Sequence, residues 1–411
     1  MIEYRRDRLF VEGFPADRLV ERFGTPLYAY STRAVLEAYG RVRAAFSRPG
    51  TMVCYALKAN PNAGVCRLLA RQGAGAEVVS GGELRRALAA GFPPEKIVFS
   101  GVGKTEEELR LAVRSGILAV NLESEAELDL LDDAARSLGR RAGFSVRLNP
   151  DVDAGTHEHV TTGTAAAKFG VERPRALAMY LKAARSRRLS SQGIHCHIGS
   201  QVTSVAPYRK ACAAVVSFVG DLERRGVRLG FIDLGGGMGV SYGFGKGLDL
   251  PALASALSKE LSSWPDKRLI VEPGRCLVAG AGVLLTTVLF RKKTTKKDFI
   301  VTDAGMTELL RPALYGAKHP ILPARRRKGG ASVVDVVGPV CETADHLGRG
   351  VKLGPCKQGD VLAVLMAGAY GFSMSSQYNS RPRPAEVLVD GNRAWISRQR
   401  ETYRDIIRGE V

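Results

Sequence analysis

The sequence predicts an α/β fold class: a (β/α)8 TIM-type barrel followed by a C-terminal all-β domain. Three observations carry this expectation. The 411 residues exceed what one hydrophobic core usually serves. Between Thr51 and Glu272, short β-prone runs alternate with amphipathic helical stretches, and the runs number eight. Beyond Arg275 helical periodicity gives way to valine-rich runs separated by Gly, Pro and Asp turns. The expected organisation is a lead-in over 1–28 packing on the β domain, a barrel over 29–277 and a β domain over 278–411.

In chain order, the lead-in carries one candidate strand at 8–11. The eight barrel runs fall at 52–56, 76–79, 97–100, 117–122, 143–148, 192–197, 231–234 and 269–272. Helical stretches between them include 82–90, 106–115, 125–138 and 208–225. An open doubly wound sheet usually places a glycine-rich turn after its first strand. Here the first run ends in Lys58, and the glycine cluster follows the seventh. In the second domain the strand candidates are 283–291, 299–302, 332–337, 361–366, 386–389 and 393–397.

Composition bounds the function. Hydrophobic content of 45% with 25% charged residues fits a soluble globular chain. The N-terminus lacks the apolar segment of a signal peptide, and the longest apolar run, 276–290, is too short and too broken to span a bilayer. Seven cysteines without a C-x-x-C pair point away from a disulfide framework and from zinc. The expected location is the cytoplasm, with no membrane partner. Sixty Lys and Arg against 41 Asp and Glu give a net charge of +19. These charges are scattered, and the densest run, Arg325-Arg326-Arg327-Lys328, sits between Pro323 and Gly329 like a solvated loop. No nucleic-acid motif accompanies it, so no nucleic-acid partner is expected.

The chemistry centres on Tyr55-Ala-Leu-Lys58-Ala-Asn60. Pro61 ends the first strand and Asn62 can cap the helix beyond, which leaves Lys58 at the C-terminal end of a strand. Function in this fold gathers at that end of the barrel. There stand Asp233-Leu-Gly235-Gly236-Gly237-Met-Gly239, Glu272-Pro273-Gly274-Arg275 and His195-Cys196-His197-Ile-Gly-Ser200-Gln201. Consecutive glycines let backbone N–H groups converge on a phosphate, and they also make plain turns. Glu272 can accept from a protonated ring nitrogen, or can simply pair with Arg275. Strand alternation puts His195 and His197 on one side; His197 reads as a stacking ring and His195 as a core histidine. Spacing supplies no third ligand for a metal, and none is expected. A lysine, a phosphate cradle, a carboxylate and a flat imidazole on one rim point to pyridoxal 5'-phosphate.

These stretches, with Val79-Ser-Gly-Gly-Glu-Leu84, Arg311-Pro-Ala-Leu-Tyr315-Gly316, Gly338-Pro-Val-Cys341-Glu342 and Ala369-Tyr370-Gly-Phe372, resemble the diaminopimelate decarboxylases. That family belongs to the pyridoxal-phosphate enzymes with an alanine-racemase-like barrel, and the match runs through nearly the whole chain. The resemblance implies that Lys58 carries the cofactor as a Schiff base, that His197 stacks on its ring and that Glu272 binds the pyridine nitrogen. It implies that Ser200, Gly235, Gly236, Gly237, the Pro273-Gly274-Arg275 segment and Tyr370 hold the phosphate. Arg275, Arg311 and Tyr315 would grip the distal carboxylate of an amino-acid substrate, with Tyr370 also at the substrate and Glu342 on its distal ammonium. Cys341 would be the acid that returns a proton, and Cys341 and Glu342 would act across a homodimer. The implied reaction is decarboxylation of meso-2,6-diaminopimelate at its D centre to L-lysine and CO2. Ornithine, lysine, arginine or a carrier-bound amino acid is the alternative substrate on the same fold. Thr307-Glu308 departs from the family's more usual Asn-Asp.

Overall fold

The computed structural model describes residues 2–153 and 168–411. The chain divides into two compact units, one of Tyr39–Val240 and Lys246–Gly274, the other of Met1–Ala38, Ser241–Gly245 and Arg275–Val411.

The first unit is a closed barrel of eight parallel strands in chain order: Met52–Ala56, Gly75–Val78, Ile97–Phe99, Ala119–Leu122, Ala142–Arg147, Leu189–His195, Phe231–Asp233 and Arg268–Val271. Ile270 and Val271 pair with Met52 and Val53 to close it. Each strand falls on one of the eight runs that periodicity picks out, with ends displaced by a few residues. The sixth shifts most, beginning at Leu189 and stopping at His195, before the Gly199 turn. It bulges at Gly193, where a Cβ would lie 2.2 Å from the Phe231 ring. Phe231 fills that space and packs with Met52, Cys54, Val98, Ala119 and Ile270.

Local signals set the helix ends. Asn62 accepts from the Gly64 and Val65 amides at the start of Ala63–Arg71. Thr105 and Glu108 form a capping box on Glu106–Ser115, which stops at left-handed Gly116. The helix Val205–Glu223 begins before the expected 208, because Ser204 caps it and Pro207 lies in a first turn that needs no amide. Val215, Phe218, Val219 and Leu222 give it one buried stripe. Among the described residues no helix is long and apolar enough to cross a membrane.

The second unit is organised by the long strand Gly282–Lys293. Its first half lies between Leu27–Ser31 and Val361–Val364, and its second half pairs with Asp298–Thr302. The sheet continues through Ser332–Val337 to His346–Leu353 on one side and through Ala385–Asp390 to Arg393–Arg398 on the other. Ile321–Pro323 joins Val361–Val364. The buried strand Leu27–Ser31 sits inside this sheet although it belongs to the N-terminal segment. A three-stranded sheet of Ile2–Arg5, Arg8–Val11 and Phe14–Pro15 adds Leu9 and Val11 to the same core as Leu27, Val283, Leu285 and Val387.

Glu308 is buried in this unit, accepting from the Gly305 amide at 2.7 Å and the Thr307 hydroxyl at 2.9 Å. Burial outweighs both bonds and raises its carboxyl from 4.5 to about 7. Between those values the folded chain keeps a proton that the unfolded chain has released, so stability falls as pH rises through this window. The loss reaches about 3 kcal/mol once both states are ionised. Glu308→Gln keeps the acceptor oxygen and removes the charge. Urea midpoints from pH 5 to 8 are expected to decline less in this variant, by about that amount; an unchanged pH slope would refute the assignment.

Candidate active site

Lys58 lies in the single turn Leu57–Ala59 that follows the first barrel strand. Its Nζ is 3.1 Å from Glu77 Oε1, on the adjacent strand. Glu77 is fully buried, and its Oε2 has no hydrogen-bond partner among the described residues. Burial pushes its carboxyl up, while the Lys58 ammonium pulls the other way without cancelling the shift. Amine and carboxyl thus share a proton-rich contact at the mouth.

Glu272 follows the last strand and is buried. Burial alone would raise its carboxyl; His195 and then Lys58 outweigh it and hold the group at about 2. His195 Nε2 lies 3.4 Å from Glu272 Oε2, and among the described residues neither ring nitrogen meets a partner in hydrogen-bond geometry. Asp233 joins them. Burial and the Glu272 charge push its carboxyl well above the ordinary range, so it stays protonated. Ligand-type atoms of His195, Asp233 and Glu272 all lie within 4.8 Å of one another, a grouping that sequence spacing does not reveal. His197 stands outside it.

His197 accepts from the Gly236 amide at Nδ1, 3.1 Å away. Its low-dielectric surroundings, with Lys58 and Arg147, hold the imidazole well below its ordinary pKa. The ring is therefore neutral and fixed in orientation. The glycines that hold it have a second duty in closing the barrel. A Cβ on Gly236 would lie 2.0 Å from the Glu272 carbonyl oxygen, and one on Gly237 2.0 Å from the Gly199 oxygen. Gly235 and Gly237 also take positive φ, 67° and 82°. Two of the three amides are engaged internally, Gly235 N–H on Asp233 Oδ1 at 2.9 Å and Gly236 N–H on His197. Ser200 follows the Gly199 turn. Gly274 passes the Lys58 turn closely, since a Cβ there would meet Ala59 Cβ at 3.0 Å, and the Pro273 carbonyl accepts from the Ala56 amide.

The other unit assembles the second group. Arg275 donates to the Tyr242 hydroxyl at 2.8 Å, and its guanidinium lies 4.7 Å over the Tyr370 ring. Tyr370 holds a φ of 55°. Arg311 is buried, 4.8 Å over the Tyr242 ring, and bonds His319 Nε2 at 2.8 Å. Tyr315 ends the short helix Arg311–Tyr315 at left-handed Gly316. Cys341 and Glu342 are exposed, on a loop folded around Asp345, whose carboxylate accepts from the Val340 and Met306 amides. The Cys341 amide donates to Asn379.

Glu77, Arg147, Tyr242 and His319 escape the motif reading, and Asp233 opens the glycine motif without a role of its own. Arg147 pairs with Glu123 at 2.9 Å, both buried. Glu77 had a usable signal, a lone acid inside the apolar run beside Lys58's strand.

The residues fit pyridoxal phosphate. Glu272 Oε1 is buried, ionised and, among the described residues, without a hydrogen-bond partner, the state a protonated pyridine nitrogen requires. The fold and site define a barrel-type pyridoxal-phosphate-dependent decarboxylase, and residues 32–279 match the family model of the pyridoxal-dependent decarboxylase pyridoxal-binding domain. The chain is 48% identical over 411 residues to a diaminopimelate decarboxylase of Pseudomonas fluorescens, covering 99% of this chain and 98% of that one. It is also similar to the crystal structure of the Helicobacter pylori diaminopimelate decarboxylase complexed with L-lysine, at TM-score 0.92 and 41% identity, covering 95% of this chain and 98% of that one. The M. jannaschii enzyme in co-complex with L-lysine gives TM-score 0.95 and 38% identity over 100% and 98%. The chain belongs to the diaminopimelate decarboxylase family.

Gly236→Ala is expected to displace the Glu272 backbone. Overpacking of this kind costs about 1–3 kcal/mol, which taken out of binding is about fivefold to about 150-fold in affinity. Fluorescence titration of the apoprotein with pyridoxal phosphate measures it. Gly82→Ala is the control, since its Cβ meets only Ser80 Oγ at 3.7 Å. Equal affinity in both variants would show that the triplet's packing does not support the site.

Proposed function

We propose that the chain decarboxylates meso-2,6-diaminopimelate at its D centre, giving L-lysine and CO2, in the cytoplasm and as a homodimer. The observation that carries the reading is the buried, ionised Glu272 on the same strand ends as the Lys58 amine. Membership of the family over nearly the full chain supports the choice of substrate. All seven cysteines are free thiols, which suits a reducing compartment.

Bound pyridoxal phosphate supplies an electron sink for the carbon that loses its carboxyl group. Lys58 Nζ is the attachment point, and Glu77 keeps that amine in place with a proton at hand. Glu272 holds a proton on the ring nitrogen, and neutral His197 offers a face for stacking. Ser200, the Gly235–Gly237 backbone, Pro273, Gly274, Arg275 and Tyr370 receive the phosphate. Arg275, Arg311 and Tyr315 bind the distal carboxylate, and two guanidiniums suit a second carboxylate that a simple diamine precursor lacks. Tyr370 lies against the substrate as well. Glu342 takes the distal ammonium, and the Cys341 thiol returns a proton to the carbon. Both act in the site of a second copy of the chain, consistent with their exposure on this one.

Borohydride reduction followed by digestion is expected to leave a pyridoxyl label on the Lys58 peptide alone. Lys58→Ala is expected to abolish turnover. Cys341→Ala should keep cofactor affinity within about twofold while lowering kcat by about 10²-fold or more. Mixing the two inactive variants should restore activity through heterodimers, and no recovery would sink the shared site. A panel of meso- and LL-diaminopimelate, ornithine, lysine and arginine with chiral product analysis decides the substrate. Turnover of any member other than meso-diaminopimelate at comparable kcat/KM would overturn the assignment.

A further inference from the structure

Arg311 is a buried guanidinium whose described hydrogen-bond partner is neutral. His319, 6% exposed, meets it at 2.8 Å through Nε2 and reaches the Leu365 carbonyl at 2.9 Å through Nδ1. A carbonyl can only accept, so Nδ1 carries the hydrogen. A neutral imidazole has one N–H, which leaves the Nε2 lone pair to accept from Arg311, itself a donor only. The carbonyl is fixed in turn, because the Leu365 amide donates to the Pro320 oxygen at 2.8 Å. The Tyr242 ring completes the housing, edge-on to His319 at 5.2 Å and under Arg311 at 4.8 Å.

We propose that His319 is a positioning residue for the substrate's distal carboxylate, acting through Arg311: the Leu365 carbonyl locks the imidazole as an acceptor, and that acceptor aims the guanidinium without neutralising it. The inference rests on the reading that Arg311 binds that carboxylate. Its logic is electrostatic. A buried guanidinium needs an acceptor, and a carboxylate in that place would compete with the ligand for its charge. A protonated imidazole would offer no lone pair and would repel Arg311. Burial and the Arg311 and Arg275 charges together keep the ring neutral, with its pKa lowered to about 3. Tyr242, Arg275 and Arg311 are the titratable or charged groups of the Arg275 and Tyr370 cluster that surround it.

Three replacements separate acceptor from bulk and from charge. His319→Phe keeps a ring without an acceptor, and is expected to raise the KM for meso-diaminopimelate about tenfold or more with kcat within about threefold. His319→Gln restores a neutral acceptor and should bring KM back to within about threefold of the native value. His319→Glu supplies a charged acceptor and should do no better than Phe. Native KM in the Phe variant, or native KM in the Glu variant, overturns the proposal. Arg311→Met keeps the two ideas apart. A raised KM there with a native KM in His319→Phe removes the positioning role and leaves the carboxylate grip standing; a native KM in Arg311→Met removes both. A measurement on the unaltered holoenzyme guards against misfolded variants. Long-range ¹H–¹⁵N spectra of ¹⁵N-histidine-labelled protein, with His319 assigned by its loss in His319→Gln, should show the Nδ1-protonated tautomer throughout pH 6–8. The Nε2-protonated tautomer or a charged ring in that window overturns it.

Discussion

The barrel site depends on one electrostatic constraint: Glu77, Asp233 and Glu272 are acids enclosed together, and they cannot all be ionised. Two basic side chains reach the cluster, Lys58 beside Glu77 and His195 beside Glu272. Burial and these neighbours set which acid keeps its proton. Glu272 has His195 against it and ionises; Asp233 has Glu272 against it and stays neutral; Glu77 lies between, raised by burial and lowered by Lys58. Environments that push neighbouring carboxyls apart in this way assign acid and acceptor roles without further machinery. The ionised acid falls just after the last barrel strand, and the shared proton falls next to the Lys58 amine.

A second constraint is the closeness of the strand exits. The sixth, seventh and eighth strands leave the barrel side by side, and the Gly235–Gly237 backbone threads between the Gly199 and Glu272 carbonyls. Any side chain there would hold the exits apart. The triplet is thus needed for closure, and two of its three amides are already engaged within the barrel mouth. The same exits set His197, since its Nδ1 is anchored by an amide from that triplet.

The fold was largely legible because parallel strands buried on both faces read as apolar runs, as Met52–Ala56 and Ile97–Phe99 do, although Leu189–His195 carries polar residues and was placed less well. The second unit was less so. Leu27–Ser31 carries two tyrosines and a serine in five residues, and its place between Gly282–Lys293 and Ala385–Asp390 is a long-range pairing that no local pattern encodes. His346–Leu353 is masked by two glycines and three basic side chains, although Leu347 and Leu353 are buried. At the site, groups next to a recognisable turn were visible in the sequence, as Lys58, His197 and Glu272 show. His319 was not, because its meaning lies in what folding puts beside it, and Glu77 stood out only as a lone acid in an apolar run whose partner register alone supplies. The basic run shows the converse. Arg325 pairs with Asp7, Arg326 covers the Tyr4 ring at 3.7 Å and Arg327 pairs with Asp360, so this charge is engaged with its own chain.

The arginines of this protein then sort by the chemistry of their partners. Arg147 with Glu123, Arg383 with Glu401 and Arg398 with Glu386 are answered by carboxylates, and each is committed to holding elements together. Arg311 instead meets an imidazole, a group that orients a guanidinium and leaves its charge intact. Burying a cation beside neutral acceptors is the less stable arrangement for the folded chain alone. It makes physical sense where an anion arrives from outside, because the field a carboxylate partner would have cancelled remains available to the ligand. A neutral partner thus distinguishes Arg311 from Arg147 more sharply than exposure does, since the two are nearly equally buried.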